Sequence, residues 1–99
     1  MFSRTLVVDA CRHVVRGPSA VVPLGSRPVL FALARALAEA WPSDVSRGVL
    51  IARAFRGKHA DESHRARLRV EIGRLRTELA GLAAVSATKR GFTLSPHGG

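Results

Sequence analysis

The feature that most constrains the fold of this 99-residue chain is an apolar stripe in its second half. Five residues recur there at intervals of 4, 3, 4 and 3 positions, namely Leu68, Ile72, Leu75, Leu79 and Leu82. At about 100° per residue of an α-helix, the whole stripe falls within about 40° of one direction. The spacing therefore predicts an amphipathic helix over residues 61–80, capped by Asp61, with one narrow face in a core.

The opposite side of this helix carries small residues bordered by guanidinium groups. Between about 140° and 260° from the stripe lie Ser63, Ala66, Arg67, Val70, Gly73, Arg74 and Thr77. Arg65, Arg69 and Arg76 line one shoulder, at about 60° to 100°. Small side chains allow close approach to bases, valine can contact a thymine methyl group, and arginine can contact guanine or phosphate. The pattern favours a helix that enters the major groove of DNA.

A plainer interpretation of this face is a solvated helix with intrahelical ion pairs. Arg67 and Glu71, and likewise Arg74 and Glu78, are spaced i, i+4, although in the weaker order with the base first. Five arginines between positions 65 and 76 accompany a single acid in that stretch, which is more than a soluble surface requires. The arginine excess favours nucleic-acid binding over the plainer interpretation.

The charge of the whole chain indicates a polyanionic partner. Sixteen Lys and Arg residues against seven Asp and Glu give a net charge of +9, and 14 of the 16 basic residues are Arg. Such a balance favours nucleic acid or an anionic membrane surface, although a high-GC genome also raises arginine content. A hydrophobic fraction of 46% in 99 residues predicts one folded domain with a modest core.

Upstream of the arginine-rich helix, the chain predicts a small sheet and two helices. Runs of β-branched residues separated by turn residues predict antiparallel strands within residues 1–24, at Thr5–Val8, His13–Arg16 and Ala20–Leu24. Within residues 25–99, Ser26 and Pro28 suit the start of a first helix that ends before Pro42. Ser46 suits the cap of a second helix, which Arg56-Gly57-Lys58 closes.

Downstream of that helix, the chain predicts a β-hairpin. After a break at Ala83-Ala84, the pattern predicts two strands, at Val85–Thr88 and Phe92–Leu94. Gly91 lies in the turn between them, where a glycine permits a positive φ. Lys89 and Arg90 at the tip suit contact with a minor groove or with phosphate. Taken alone, the hairpin fits a plain closing element with ordinary surface charges better than a DNA-binding wing.

From Gly25 to Pro96 the chain resembles the DNA-binding effector domain of OmpR/PhoB-type transcriptional regulators. The residues that carry the resemblance are Arg27-Pro28-Val29-Leu30, Val45-Ser46-Arg47 with Leu50, the run from Glu71 to Leu79, and Thr88-Lys89-Arg90-Gly91-Phe92. It implies an α+β winged helix-turn-helix fold with a small N-terminal antiparallel sheet, a three-helix bundle and a C-terminal β-hairpin wing. The family's receiver domain is missing from this sequence, and Gly73 stands where the family carries a larger residue.

The resemblance implies sequence-specific binding of double-stranded DNA in transcription regulation. It assigns base contacts to Val70 and Arg74, backbone contacts to Arg67, Arg69 and Arg76, and contacts with the adjacent minor groove to Lys89 and Arg90. The helical projection adds Arg67 to the base-facing set and Arg65 to the phosphate-facing set. Expected partners are DNA, a second copy bound in tandem or as a homodimer, RNA polymerase and a missing regulatory domain.

Other functional classes have less support in the sequence. Four scattered histidines and the single Cys11 predict no metal site, and no nucleophile elbow or phosphate-binding loop predicts an enzyme or a cofactor. The lone cysteine and the lack of a long apolar run predict a cytoplasmic protein that does not enter the membrane. The alternative function is a winged-helix module that binds an acidic protein surface, which the small residues on the exposed face disfavour. Structured RNA is disfavoured because its deep, narrow major groove excludes a helix.

Overall fold

In the residues that the structure describes, the chain forms two small antiparallel sheets and three helices, so the α+β class is confirmed. The computed structural model describes residues 6–17, 20–55 and 62–96. In chain order the elements are β1 (Val7–Asp9), β2 (Val14–Arg16), β3 (Val21–Pro23), α1 (Pro28–Ala40), β4 (Val45–Ser46), α2 (Arg47–Ala54), α3 (Glu62–Glu78), β5 (Ala83–Ala87) and β6 (Gly91–Pro96).

The first sheet contacts α1 through its first strand and the turn that follows it. β1, β2 and β3 are neighbours in that order, close to the three predicted strands. Asp9 Oδ1 accepts hydrogen bonds from the backbone N–H groups of Cys11 and Arg12, at 3.0 and 3.1 Å, which closes the turn after β1. The imidazole edge of His13 packs on the ring of Phe31 in α1, with ring centroids 5.1 Å apart. The first sheet therefore covers part of the helical core.

The start of α1 differs from the prediction. Pro28 occupies the first turn as expected, but Arg27 holds the N-cap position and makes no side-chain cap bond. The predicted cap Ser26 lies one residue too early, because the Arg27 N–H bonds to the Leu24 carbonyl at 3.0 Å and extends the preceding turn. The first turn of α1 also contains no acidic residue. Its free backbone N–H groups thus lack the usual local side-chain acceptor.

The cap of α2 is as predicted. Ser46 Oγ accepts a hydrogen bond from the backbone N–H of Val49 at 3.2 Å. The helix ends at Ala54, with Phe55 at the C-cap. Three other predictions fall outside the described residues, namely the strand start at Thr5, the closing turn at Arg56-Gly57-Lys58 and the Asp61 cap. Two of the four scattered histidines, His59 and His97, also lie outside them.

The second sheet joins the two ends of the helical region. β4 pairs with β6, and β6 pairs with β5, in antiparallel order. The break predicted at Ala83-Ala84 is wrong, because both residues belong to β5 and oppose Pro96 and Ser95 of β6. Five consecutive residues of β6, from Phe92 to Pro96, oppose the five residues of β5, and this pairing outweighs the weak strand preference of alanine.

Gly91 is required for close packing, not for a left-handed turn as predicted. A Cβ atom at this position would overlap the carbonyl group of Val45, where β6 pairs with β4, and the φ of Gly91 lies outside the left-handed region. Only glycine allows the two backbones to approach this closely. The glycine therefore fixes the hairpin against the strand that precedes α2.

The core is built around the predicted apolar stripe. All five stripe residues are buried, with exposures between 0% and 4%, and α3 packs against α1, α2 and β5. Within residues 6–17, 20–55 and 62–96, no polar or charged residue is buried. The orientation predicted for α3 is thus confirmed, and the side opposite the stripe faces solvent.

Candidate nucleic-acid interface

The exposed face of α3 lies directly opposite the buried stripe. Arg67, Val70 and Arg74 follow one another at positions i, i+3 and i+7 of the helix and share this face. Val70 is 54% exposed, and the side chains of Arg67 and Arg74 are 58% and 60% exposed. All three predicted base-facing residues are therefore brought together on one accessible surface, which we call the reading face.

A single carboxylate connects the two arginines of the reading face. Glu71 Oε1 accepts a hydrogen bond from Arg74 Nη1 at 3.3 Å, and Glu71 Oε2 lies 4.0 Å from Arg67 Nε. The pairing predicted between Arg74 and Glu78 does not form, because Glu78 instead accepts from Arg27 Nη1 at 3.3 Å. Arg27 precedes α1, and a partner so distant in sequence cannot be found from the spacing within one helix.

Arg67 has a second partner at the end of α2. Its guanidinium carbon lies 4.7 Å from the ring centroid of Phe55, a cation–π contact. The ring of His64 also contacts Phe55, with centroids 5.7 Å apart. Phe55 is 8% exposed and thus forms a rigid support beneath the start of α3. Sequence reasoning missed this role, although an aromatic residue at the end of a predicted helix was a visible signal.

The three predicted phosphate-facing arginines differ in what they contact. Arg65 and Arg69 are exposed and have no hydrogen-bond or ion-pair partner among the described residues. Arg76 instead donates from Nε to the Val85 carbonyl oxygen at 2.9 Å, a partly buried bond that ties α3 to β5. Two guanidinium groups on this shoulder are therefore free to meet an anion, and the third is engaged within the fold.

The tip of the hairpin between β5 and β6 is held by two residues, Asp44 and Arg47, to which sequence reasoning gave no role at the hairpin. Asp44 accepts from Arg90 Nε at 3.0 Å and from the Thr88 hydroxyl at 2.7 Å. Arg47 donates to the carbonyl oxygens of Lys89 and Thr88, at 3.2 and 3.3 Å. Lys89 extends from this braced tip, exposed and without an ion-pair partner among the described residues.

The charge state of Asp44 favours this bracing. The hydrogen bond from the Thr88 hydroxyl is the largest cause that lowers the pKa of Asp44 below its ordinary value, and the positive charge of Arg90 lowers it further, against a raising effect of burial. Asp44 thus remains ionised at neutral pH and keeps its attraction for Arg90. Of the two cations at the hairpin tip, Lys89 alone projects its charge without an internal partner in the described structure.

A groove of about 450 Å³ separates the first turn of α1 from the middle of α3. Its lining residues are Arg27, Pro28, Val29, Leu30, Glu71 and Arg74. The Glu71 side chain is only 12% exposed, because it borders the buried stripe, about 60° from Leu68 on the helical projection, on the side of α3 that faces α1. Because the N-terminus of a helix carries partial positive charge, the uncapped end of α1 provides a favourable environment for this carboxylate.

The described structure offers few features for metal binding, membrane insertion or cysteine chemistry. Within the described ranges, no group of three or more His, Cys, Asp or Glu side chains is placed to hold a metal ion. None of the helices in the same ranges is both long and apolar enough to cross a membrane. Cys11 is exposed and unpaired in a turn of the first sheet.

Comparison of the chain with protein-family models, with curated proteins and with solved structures gives no significant match.

Proposed function

We propose that this chain is a winged-helix protein that binds double-stranded DNA in a sequence-specific way and regulates transcription. The observation that carries the proposal is the reading face, on which Arg67, Val70 and Arg74 are all more than half exposed on the side of α3 opposite its buried stripe. A helix of this kind fits the major groove, where arginine contacts guanine and valine contacts the thymine methyl group.

The order and pairing of the elements support the winged-helix assignment. Three helices are followed by a hairpin, and the short strand β4 between α1 and α2 pairs with that hairpin. In this arrangement α2 and α3 form the helix-turn-helix, and the hairpin of β5 and β6 is the wing. The braced tip then presents Lys89 to the minor groove or to a phosphate beside it.

The contacts within the fold refine the division of roles among the cations. Arg65 and Arg69, which have no internal partner among the described residues, are assigned to phosphates. Arg76 and Arg90 are engaged with the Val85 carbonyl and with Asp44, so their first role is to hold the helix and the wing in place. Their contribution to DNA affinity is expected to be smaller than that of Arg69.

Selection of binding sites from a random duplex pool tests the proposal directly. We expect a recurring motif, and a repeated motif with a fixed spacer if two copies bind together. With three to five phosphates contacted, the logarithm of the binding constant should fall with the logarithm of salt concentration with a slope of about −3 to −5.

A matched pair of variants separates an interface on α3 from the effect of net charge. Arg69→Ala and Arg16→Ala each remove one exposed arginine, from α3 and from β2. Arg69→Ala should weaken binding to every duplex and reduce the salt slope by about 1, whereas Arg16→Ala should leave both unchanged. Equal losses from the two variants, or no gel shift on any duplex at low salt, would contradict the proposal.

A further inference from the structure

We infer that Glu71 determines DNA sequence specificity by orienting the two arginines of the reading face, an inference that rests on the DNA-binding function proposed above. The carboxylate lies between Arg67 and Arg74 and uses a different oxygen for each, at 4.0 and 3.3 Å. It touches no base in this role. Glu71 is therefore a positioning residue that acts through its two neighbours.

The side chain of Glu71 is constrained because it lies at the border between the buried stripe and the reading face, next to α1. Its side chain is 12% exposed, compared with 58% and 60% for the arginines that it contacts. It lines the groove next to Pro28 and Val29 in the first turn of α1, which has neither an acidic residue nor a side-chain cap. The partial positive charge of this helix end is a favourable environment for the carboxylate across the groove. A carboxylate in a restrained position also restrains the orientation of the guanidinium groups that bind to it.

Orientation matters because arginine recognises guanine through two parallel hydrogen bonds. A guanidinium group has five N–H donors in a rigid plane, so a hydrogen bond from one N–H to Glu71 leaves other N–H groups free to bind a base edge. Arg74 donates a hydrogen bond from Nη1 to Glu71. The guanidinium carbon of Arg67 also lies 4.7 Å from the centroid of the Phe55 ring, in a cation–π contact. Both groups are thus restrained before DNA arrives, which lowers the entropy lost on specific binding.

The negative charge of Glu71 has a second effect on specificity. It lies within the part of α3 that holds five arginines between positions 65 and 76, and it is the only acid in that stretch. The carboxylate partly neutralises Arg67 and Arg74 and repels nearby phosphates, which weakens the attraction of these arginines for the DNA backbone. Since backbone attraction carries no sequence information, Glu71 lowers non-specific affinity more than specific affinity.

Glu78 provides a matched control on the same helix. It is also paired with an arginine at 3.3 Å, but its partner is Arg27 before α1 and not a residue of the reading face. Glu71→Gln and Glu78→Gln therefore remove the same charge from α3 and differ in whether a base-facing arginine loses its partner.

The experiment measures affinity of the full chain for the selected motif and for a random duplex of equal length. Glu71→Gln should reduce the ratio of specific to random affinity about tenfold, by weakening the selected motif and strengthening the random duplex. Glu78→Gln should leave that ratio unchanged. In an Arg74→Ala background, Glu71→Gln should change the ratio much less, a coupling that a purely structural role would not produce.

A second variant separates orientation from charge and guards against a folding defect. Glu71→Asp keeps the charge but shortens the reach to both arginines, so it should lower the ratio without strengthening binding to random DNA. Urea denaturation of each variant establishes that the folded protein is being compared. If the wild type binds the motif and both Glu71 variants keep its ratio, or if Glu78→Gln lowers it equally, the inference is overturned while the proposed function stands. If the wild type selects no motif, the proposed function fails and the role of Glu71 fails with it.

Discussion

α1 and α3 pack in the same core but use their surfaces differently. α1 buries six of its 13 residues, whereas α3 buries three of its 17. The longer helix thus contributes a narrower stripe to the core, and most of its surface is not needed to hold the fold together. Such a surplus of exposed helix is expected where a helix also binds a partner.

The charges of the two helices differ in the same sense. The single arginine of α1, Arg35, donates to Glu39 at 3.0 Å, and Glu39 also accepts from Arg53 of α2 at 3.1 Å. On α3, by contrast, Arg65 and Arg69 have no partner among the described residues. Charges on α1 are used to connect two helices, and part of the charge on α3 remains available for an external anion. Four predictions test this comparison.

The largest expected effect comes from the buried stripe of α3. Leu75 is fully buried, and Leu75→Ala should lower the free energy of unfolding by about 2 to 5 kcal/mol because it leaves a cavity in the core. Val70→Ala, five residues earlier on the exposed face, should change it by less than about 0.5 kcal/mol. Urea denaturation measures both. Similar losses from the two variants would show that the exposed face also supports the fold.

The next effect concerns DNA affinity and compares one arginine from each helix. Arg74→Ala should weaken binding to the selected motif by about 1 to 3 kcal/mol and relax the preference at one base position. Arg35→Ala removes an equally exposed arginine that is also paired with a glutamate, but from α1, and should leave DNA binding unchanged. Fluorescence anisotropy with specific and random duplexes checks both. A loss of affinity in Arg35→Ala would remove the distinction between the helices.

The sequence predicted those parts of the fold and the candidate site that depend on spacing within one element. The period of Leu68, Ile72 and Leu75 was enough to orient α3, and the exposure of Arg67, Val70 and Arg74 followed from that orientation. Contacts between elements could not be predicted in this way. The pairing of Glu78 with Arg27 and the bracing of Arg90 by Asp44 join residues about 50 positions apart, and spacing along one helix or strand carries no information about them.

Gly73 offers a test with a smaller effect on stability. α3 has this glycine in its interior, whereas α1 has none. Nothing lies within 4 Å of a Cβ atom built at Gly73, so Gly73→Ala should raise the free energy of unfolding by about 0.5 to 1 kcal/mol. The reverse change in α1, Ala32→Gly, should lower it by a similar amount. If Gly73→Ala stabilises the protein but weakens binding to the selected motif, the glycine serves close approach to DNA at the expense of helix stability.

The smallest expected effect is the pH dependence contributed by Glu39. Burial raises the pKa of Glu39, but hydrogen bonds from Arg53 and Arg35 outweigh it and leave the pKa below its ordinary value. A carboxyl group whose pKa is lower in the folded state stabilises the protein above its unfolded pKa and loses this contribution as the pH falls through the folded pKa. Stability should therefore decline between about pH 5 and pH 3, and Glu39→Gln should make that decline shallower. Because the pair is half exposed and screened by solvent, the difference should be only a few tenths of a kcal/mol, measurable by urea denaturation at low salt. The DNA affinity of Glu39→Gln at neutral pH should match that of the wild type, since this carboxylate stabilises the contact between α1 and α2 and lies outside the reading face.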